Sequence, residues 1–424
     1  MKTSIKRSMQ AVLLATGLLG AGISAQAATV TIACGSVGQD YEFCKRHTDE
    51  WAKKTGHTVK LFTAPASTTD ILGLFRQMFA AKSTDLDVIM VDVVWPGVIK
   101  DHLVDLKPYS KGAEKAHFPA IVANNTINGK LLAMPSFTDA GLMYYRKDLL
   151  EKYKLSAPKT WDELAAAAKK IQDGERAAGA ADFQGYVFQA KAYEGLTCDA
   201  VEWLAAYNGG SIVDAKGNIT VNNPNAVKAL KTAASWVGTI SPTGVLNYAE
   251  EDSRGVFQNG KAAFMRNWPY AWSLGNSADS PIKGKIAVSA LPSGTAGGKG
   301  GAALGGWQLA VSKYSKNVAA SADLVMFMTS PEIQKERAIK GSYNPTIMSL
   351  YKDKEVLAAS PFFGDLYDVF TNASPRPSTV TGLKYPEVSQ AFWNATHEVL
   401  SGKATAEDSL KGLEGKLKQI KRTG

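Results

Sequence analysis

The chain has 424 residues, 45% of them hydrophobic, with 48 Lys and Arg against 39 Asp and Glu, for a formal charge of +9. That is enough apolar material for sizeable cores, and three cysteines are too few for a disulfide scaffold. The basic excess is spread thinly, with neither the clustering nor the motif that nucleic-acid binding would need, so no nucleic-acid partner is expected.

The first segment reads as an export signal. Lys2, Lys6 and Arg7 precede an apolar run from Ala11 to Ala21, and Ala25 and Ala27 form an A-x-A site. Residues 1-27 are therefore expected to be a cleaved signal peptide, with the mature chain starting at Ala28 in the periplasm. The apolar run is shorter than the ~20 residues of a membrane helix, and no cysteine sits at the cleavage point to carry a lipid. Losing residues 1-27 removes three basic residues and no acid, so the charge becomes 9 − 3 = +6. The mature chain exceeds the ~250–300 residues at which one core stops growing, so two domains are expected.

Ala28–Ala33 (ATVTIA) is a β-branched run predicted as a strand, and Glu42–Lys54 is predicted as a helix. Cys34 and Cys44 stand ten residues apart in an oxidising compartment. A local disulfide between them competes there with three reduced thiols, and Cys198 is left as a small buried residue.

Strands follow at Thr58–Thr63 and Leu86–Val91, with a helix at Asp70–Ala81 between them. Leu131–Pro135 and Gly141–Tyr145 read as strands, Trp161–Gln172 as a helix opened by Thr160, and Lys261–Met265 as a strand. Near the end, Trp307–Val311 reads as a strand, with helices at Ala319–Thr329 and Thr405–Ile420. This alternation predicts an α/β fold with parallel sheets. The glycine-rich stretch Gly294–Gly306 lies where a hinge could sit.

Nine tryptophans are the chemical excess. Trp95, Trp268, Trp272 and Trp307 fall in the runs Val94–Pro96, Asn267–Trp272 and Gly305–Trp307, at predicted breaks between elements. An indole face suits the C–H face of a pyranose, whose rim of hydroxyls must be re-paired by Asp, Asn, Glu or Arg; taken singly, each is as readily a core aromatic. Asp92 and Asp139 could be a glycosidase pair, but acids at strand ends are common in α/β proteins. There is no G-x-S-x-G elbow, H-E-x-x-H helix or phosphate loop, and the five histidines are scattered, so neither a cofactor nor a metal is implied.

Several strings carry a family resemblance. Leu131–Pro135 (LLAMP), Asp139–Leu150 (DAGLMYYRKDLL), Thr160–Leu164 (TWDEL) and Phe257–Phe264 (FQNGKAAF) resemble, in order, family 1 extracellular solute-binding proteins. Ala190–Leu196 (AKAYEGL), Arg266–Trp272 (RNWPYAW), Leu304–Trp307 (LGGW) and Pro375–Pro377 (PRP) are similar to the trehalose/maltose-binding branch. The resemblance implies a type II, maltose-binding-protein-like periplasmic-binding-protein fold of two α/β lobes joined by hinge strands. The lobes are expected from residues 28-138 and 307-362, and from 139-306 and 363-424.

It further implies a monomeric receptor, not an enzyme, that holds a small-molecule sugar between the lobes and delivers it to ABC permease subunits in the inner membrane of a Gram-negative bacterium. Its ligand contacts would fall on Asp40, Asp92, Phe137, Asp139, Glu194, Trp268, Tyr270, Gly306, Trp307 and Arg376. The three aspartates would accept hydrogen bonds, Arg376 would donate, and the two tryptophans would stack. Phe137 stands where a tyrosine is frequent, and Ser67–Leu72 lacks an arginine found in some members.

Overall fold

The computed structural model describes residues 27–422; the expected leader, residues 1-27, falls outside them except for Ala27. The strands in chain order are β1 (Thr29–Cys34), β2 (Thr58–Thr63), β3 (Val88–Asp92), the small pair β4 (Thr126–Ile127) and β5 (Lys130–Leu131), β6 (Met134–Ala140), β7 (Leu142–Arg146), β8 (Gln184–Val187), β9 (Ala262–Asn267), β10 (Ile286–Ser289) and β11 (Leu304–Val311). They form a five-stranded sheet in the order β2-β1-β3-β11-β6 and a four-stranded sheet in the order β10-β7-β9-β8.

Neither larger sheet is purely parallel, which corrects the sequence expectation. β1 runs parallel to β2 and β3, but β11 is antiparallel to both β3 and β6. The reason is topological. β11 enters the first sheet after the chain has built the second, so it arrives without the helical crossover that sets strands parallel.

β3 is buried at every position because layers cover both faces. Val30, Ile32, Val88, Val91, Leu309 and Val325 lie in the core around this sheet. A second core gathers Trp161, Phe188, Trp203, Leu204 and Trp236. A third packs Val356, Phe362, Phe363 and Phe370 with Leu142, Tyr144 and Met265.

Local signals explain the best-defined helices. In Trp161–Ala177 the Thr160 side chain accepts from the Glu163 amide at 3.2 Å, and Glu163 accepts from the Thr160 amide at 3.3 Å, a reciprocal cap. The helix runs five residues past its predicted end. Asp40–Thr55 has acids in its first turn and Lys53 and Lys54 in its last, complementing the helix dipole, and ends on Gly56. Cys34, at the end of β1, is bonded to Cys44 in this helix, with Cα atoms 5.9 Å apart; Cys198 is free and buried.

Three segments pass between the sheets close to one another. Gly141 alone separates β6 from β7. The stretch after β10 returns into β11, and Ala303 within it forms a parallel bridge with Ser374 on the third segment. Among the described residues no helix is long and apolar enough to cross a membrane.

Candidate functional site

A cleft opens between the sheets, and with its mouth it encloses about 760 Å³. Its floor comes from three adjacent strands of the first sheet. In register, Trp307 of β11 lies opposite Asp92 of β3 on one side and Phe137 of β6 on the other, and Gly305 lies opposite Asp139. Burying both faces of a strand leaves its carboxyl end as the place where polar side chains can meet a ligand. Asp92 is the last residue of β3.

Gly306 has φ +123°, and a Cβ there would lie 2.6 Å from the Phe137 carbonyl oxygen. A Cβ at Gly305 would stand 3.1 Å from both Asp139 and the Trp268 ring. The two glycines therefore let protein groups close on β11, where the ladder shifts register after Trp307.

All ten residues expected from the resemblance line this one cleft: Asp40, Asp92, Phe137 and Asp139, then Glu194, Trp268 and Tyr270, and finally Gly306, Trp307 and Arg376. Their chemistry differs. The Arg376 guanidinium, at 1% side-chain exposure, donates from Nη1 to Glu194 Oε1 at 2.6 Å and from Nη2 to Asp92 Oδ1 at 3.0 Å. It thus bridges the end of β3 to the start of the helix Glu194–Ala206. Its Nε is buried without a partner. Asp92 Oδ1 also accepts from the Val94 amide at 3.0 Å. Glu194 accepts from Ser389 Oγ at 2.7 Å and from the Tyr385 hydroxyl. Burial raises its carboxyl above the usual range, and Arg376 opposes this.

Asp40 is tied to Arg337, whose guanidinium lies 4.5 Å over the Tyr343 ring and 5.1 Å over Phe137. The Asp139 carboxyl has no hydrogen bond among the described residues, although the residue is only 9% exposed. Burial pushes its carboxyl well above the ordinary carboxylate range, partly offset by Arg266. It faces the cleft as a polar group still to be satisfied.

On the opposite wall the Trp268 indole N–H points to Glu250 Oε1 at 3.4 Å, and the Tyr270 hydroxyl donates to Glu251 Oε1 at 2.6 Å. Both tryptophans in the cleft are only partly buried. The other two from predicted breaks do not enter it. Trp95 is buried behind Trp307 and meets it edge-on at 5.3 Å, and Trp272 packs edge-on against Phe362 at 5.6 Å. For those two the core reading is correct.

Sequence reasoning overlooked Glu250, Arg337 and Tyr343. Glu250 opens an acidic helical turn that reads as capping, and Arg337 sits inside a helix with no local signal. Among the described residues no group of three or more His, Cys, Asp or Glu could hold a metal ion.

The arrangement is suited to enclosing a small polar molecule that also has apolar faces. Residues 36–335 match the family model for bacterial extracellular solute-binding protein. A Deinococcus radiodurans relative named "Probable ABC transporter-binding protein" is 57% identical over 99% of this chain and 100% of its own. The solved structure of maltose-bound T. maritima MalE3 is 41% identical, covers 93% of this chain and all of its own, and has a TM-score of 0.88. A Thermotoga lettingae ABC transporter solute-binding protein bound with α-D-tagatose shares 25% identity over 93% of this chain and 99% of its own, with a TM-score of 0.81. With that geometry and those matches together, the chain belongs to the bacterial extracellular solute-binding protein family.

Proposed function

We propose that the protein is the periplasmic receptor of an ABC sugar importer, capturing a disaccharide such as trehalose or maltose in the cleft and delivering it to the permease. The observation that carries this reading is that two partly exposed indoles, Trp268 and Trp307, line one cleft together with the Asp139 carboxyl, which has no side-chain hydrogen bond among the described residues. Indoles cover the apolar faces of a pyranose, and buried acceptors take its hydroxyls. The maltose in the T. maritima relative supports the ligand class.

Binding is the whole task in this reading, and no turnover is expected. Because the ligand touches both walls only when they approach, it favours the closed arrangement that a permease recognises. The two sheets support lobes from 28-138 and 307-362 and from 139-306 and 363-424; the packing of Val356 and Phe362 on the second sheet's side argues for an earlier second return. Titration calorimetry of the mature chain with trehalose, maltose, sucrose and palatinose tests the proposal. Saturable binding of at least one supports it. Binding of none, or hydrolysis of any, overturns it.

A further inference from the structure

Beneath the second wall lies a buried charge cluster centred on Arg266 of β9, which is 1% exposed. Its Nε and Nη2 donate to the two carboxylate oxygens of Glu202 at 2.9 and 2.5 Å, and Nη1 donates to Gln189 Oε1 at 3.0 Å. Asp199 Oδ1 is 3.0 Å from Nε. The guanidinium carbon stands 3.8 Å from the centre of the Trp268 ring. One end of this cluster is thus the underside of the indole that the proposed ligand would meet.

The other end is the hinge. Glu202 Oε1, the oxygen that accepts from Arg266 Nη2, also accepts from the Ala303 amide at 3.1 Å. A Cβ at Gly141 would lie 2.0 Å from that same oxygen and 2.7 Å from Arg266 Nη2. Two of the three segments joining the sheets therefore bear on one carboxylate. A buried ion pair is a poor choice for stability alone, since well-packed apolar residues often do as well or better. What a planar, five-donor guanidinium adds is a fixed geometry, in which bidentate pairing and ring stacking cannot be adjusted independently.

We infer that Arg266 and Glu202 are positioning residues that tie the orientation of the Trp268 ring to the strands between the sheets, so that ligand stacking and hinge movement are coupled. The ligand side of this coupling rests on the proposed function; the link between ring and hinge does not.

The test uses the mature chain labelled with 5-fluorotryptophan, the Trp268 resonance being assigned by Trp268→Phe. Glu202→Gln acts at the hinge end. It is expected to move the Trp268 fluorine resonance by more than a linewidth and to speed amide exchange at Ala303 about tenfold. In a Glu202→Gln/Arg266→Lys double variant the resonance should lie where Arg266→Lys alone puts it. A Trp268 resonance left in place by Glu202→Gln, or shifts that simply add in the double variant, overturns the inference. If Glu202→Gln does not fold, Arg266→Lys, acting at the ring end, should speed amide exchange at Ala303 about tenfold, and unchanged exchange there overturns the inference. With maltose as probe, Glu202→Gln should bind about tenfold more weakly, and wild-type affinity in that variant overturns the coupling to ligand. If the wild-type chain takes up no maltose, the maltose reading falls, and the fluorine measurement still decides the link between ring and hinge.

Discussion

Asp92 and Asp139 sit two strands apart on the same floor, yet alanine at each should do different things. Asp139→Ala removes a carboxyl that no described protein group hydrogen-bonds, so the loss falls on ligand hydroxyls left without an acceptor, about 1–3 kcal/mol or roughly 5–150-fold in affinity. The apo protein should melt at or above the wild-type temperature. Burial raises the Asp139 pKa in the fold, so its favourable contribution is present below the unfolded value of 3.8 and lost as pH rises. The gain from Asp139→Ala should therefore grow from acid to neutral pH.

Asp92→Ala instead strips one carboxylate from the Arg376 guanidinium and the acceptor from the Val94 amide. Breaking one side of a buried pair costs about 3–5 kcal/mol, or about 4–6 °C in melting temperature for a chain of this size. Affinity should fall as well, because Arg376 would lose its bridge across the cleft. Calorimetric melting of both apo variants, with sugar titrations of each, separates the cases. A wild-type melting temperature for Asp92→Ala, or wild-type affinity for Asp139→Ala, would refute the division of roles.

Trp307→Ala should cost about 1.5 kcal/mol in affinity, from roughly 60 Å² of indole face at about 25 cal/mol per Å², and a smaller loss of stability of about 0.5–1.5 kcal/mol from the edge contact with Trp95; normal affinity with a lower melting temperature would make it a packing residue only. Burial lowers the His117 imidazole from 6.5 to about 4, with Glu114 opposing. His117 is therefore neutral in the fold while the unfolded chain protonates, so its stabilisation is complete above pH 6.5 and is lost as pH falls to about 4. The loss is about 3 kcal/mol, and urea midpoints of wild type and His117→Gln across that range should converge at the acid end. Reducing Cys34–Cys44, which closes a loop ten residues long, should cost about 3 kcal/mol; alkylation of both thiols in unreduced periplasmic protein would remove the bond, and a mature mass that does not begin at Ala28 would remove the assigned cleavage site.

The alternation of strands and helices, the reciprocal cap at Thr160 and Glu163, and the strings around Asp139, Trp268 and Trp307 were legible in the chain. Each is local: hydrophobic period, a capping pair three residues apart, or a run of adjacent residues. Residues whose meaning depends on distant partners were not legible in this way. Trp95 and Trp272 share the turn-flanked setting of Trp268 and Trp307, and only their neighbours in space turn them toward the core. Arg337 and Asp40 are nearly 300 residues apart, as are Asp92 and Arg376, and no sequence period reports such a pairing.

The sequence by itself supplied the α/β class and the expected export signal from residue type and near spacing, and its family resemblance supplied the two-lobe fold and the candidate residues. Tertiary structure alone decided that β11 returns antiparallel, that Arg376 is held between Asp92 and Glu194, that the Asp139 carboxyl has no hydrogen-bond partner among the described residues, and that Arg266 lies between the Trp268 ring and the Glu202 carboxylate that accepts from Ala303. These depend on where a chain that passes several times between two sheets brings its side chains together, and burial then sets what each charge must find.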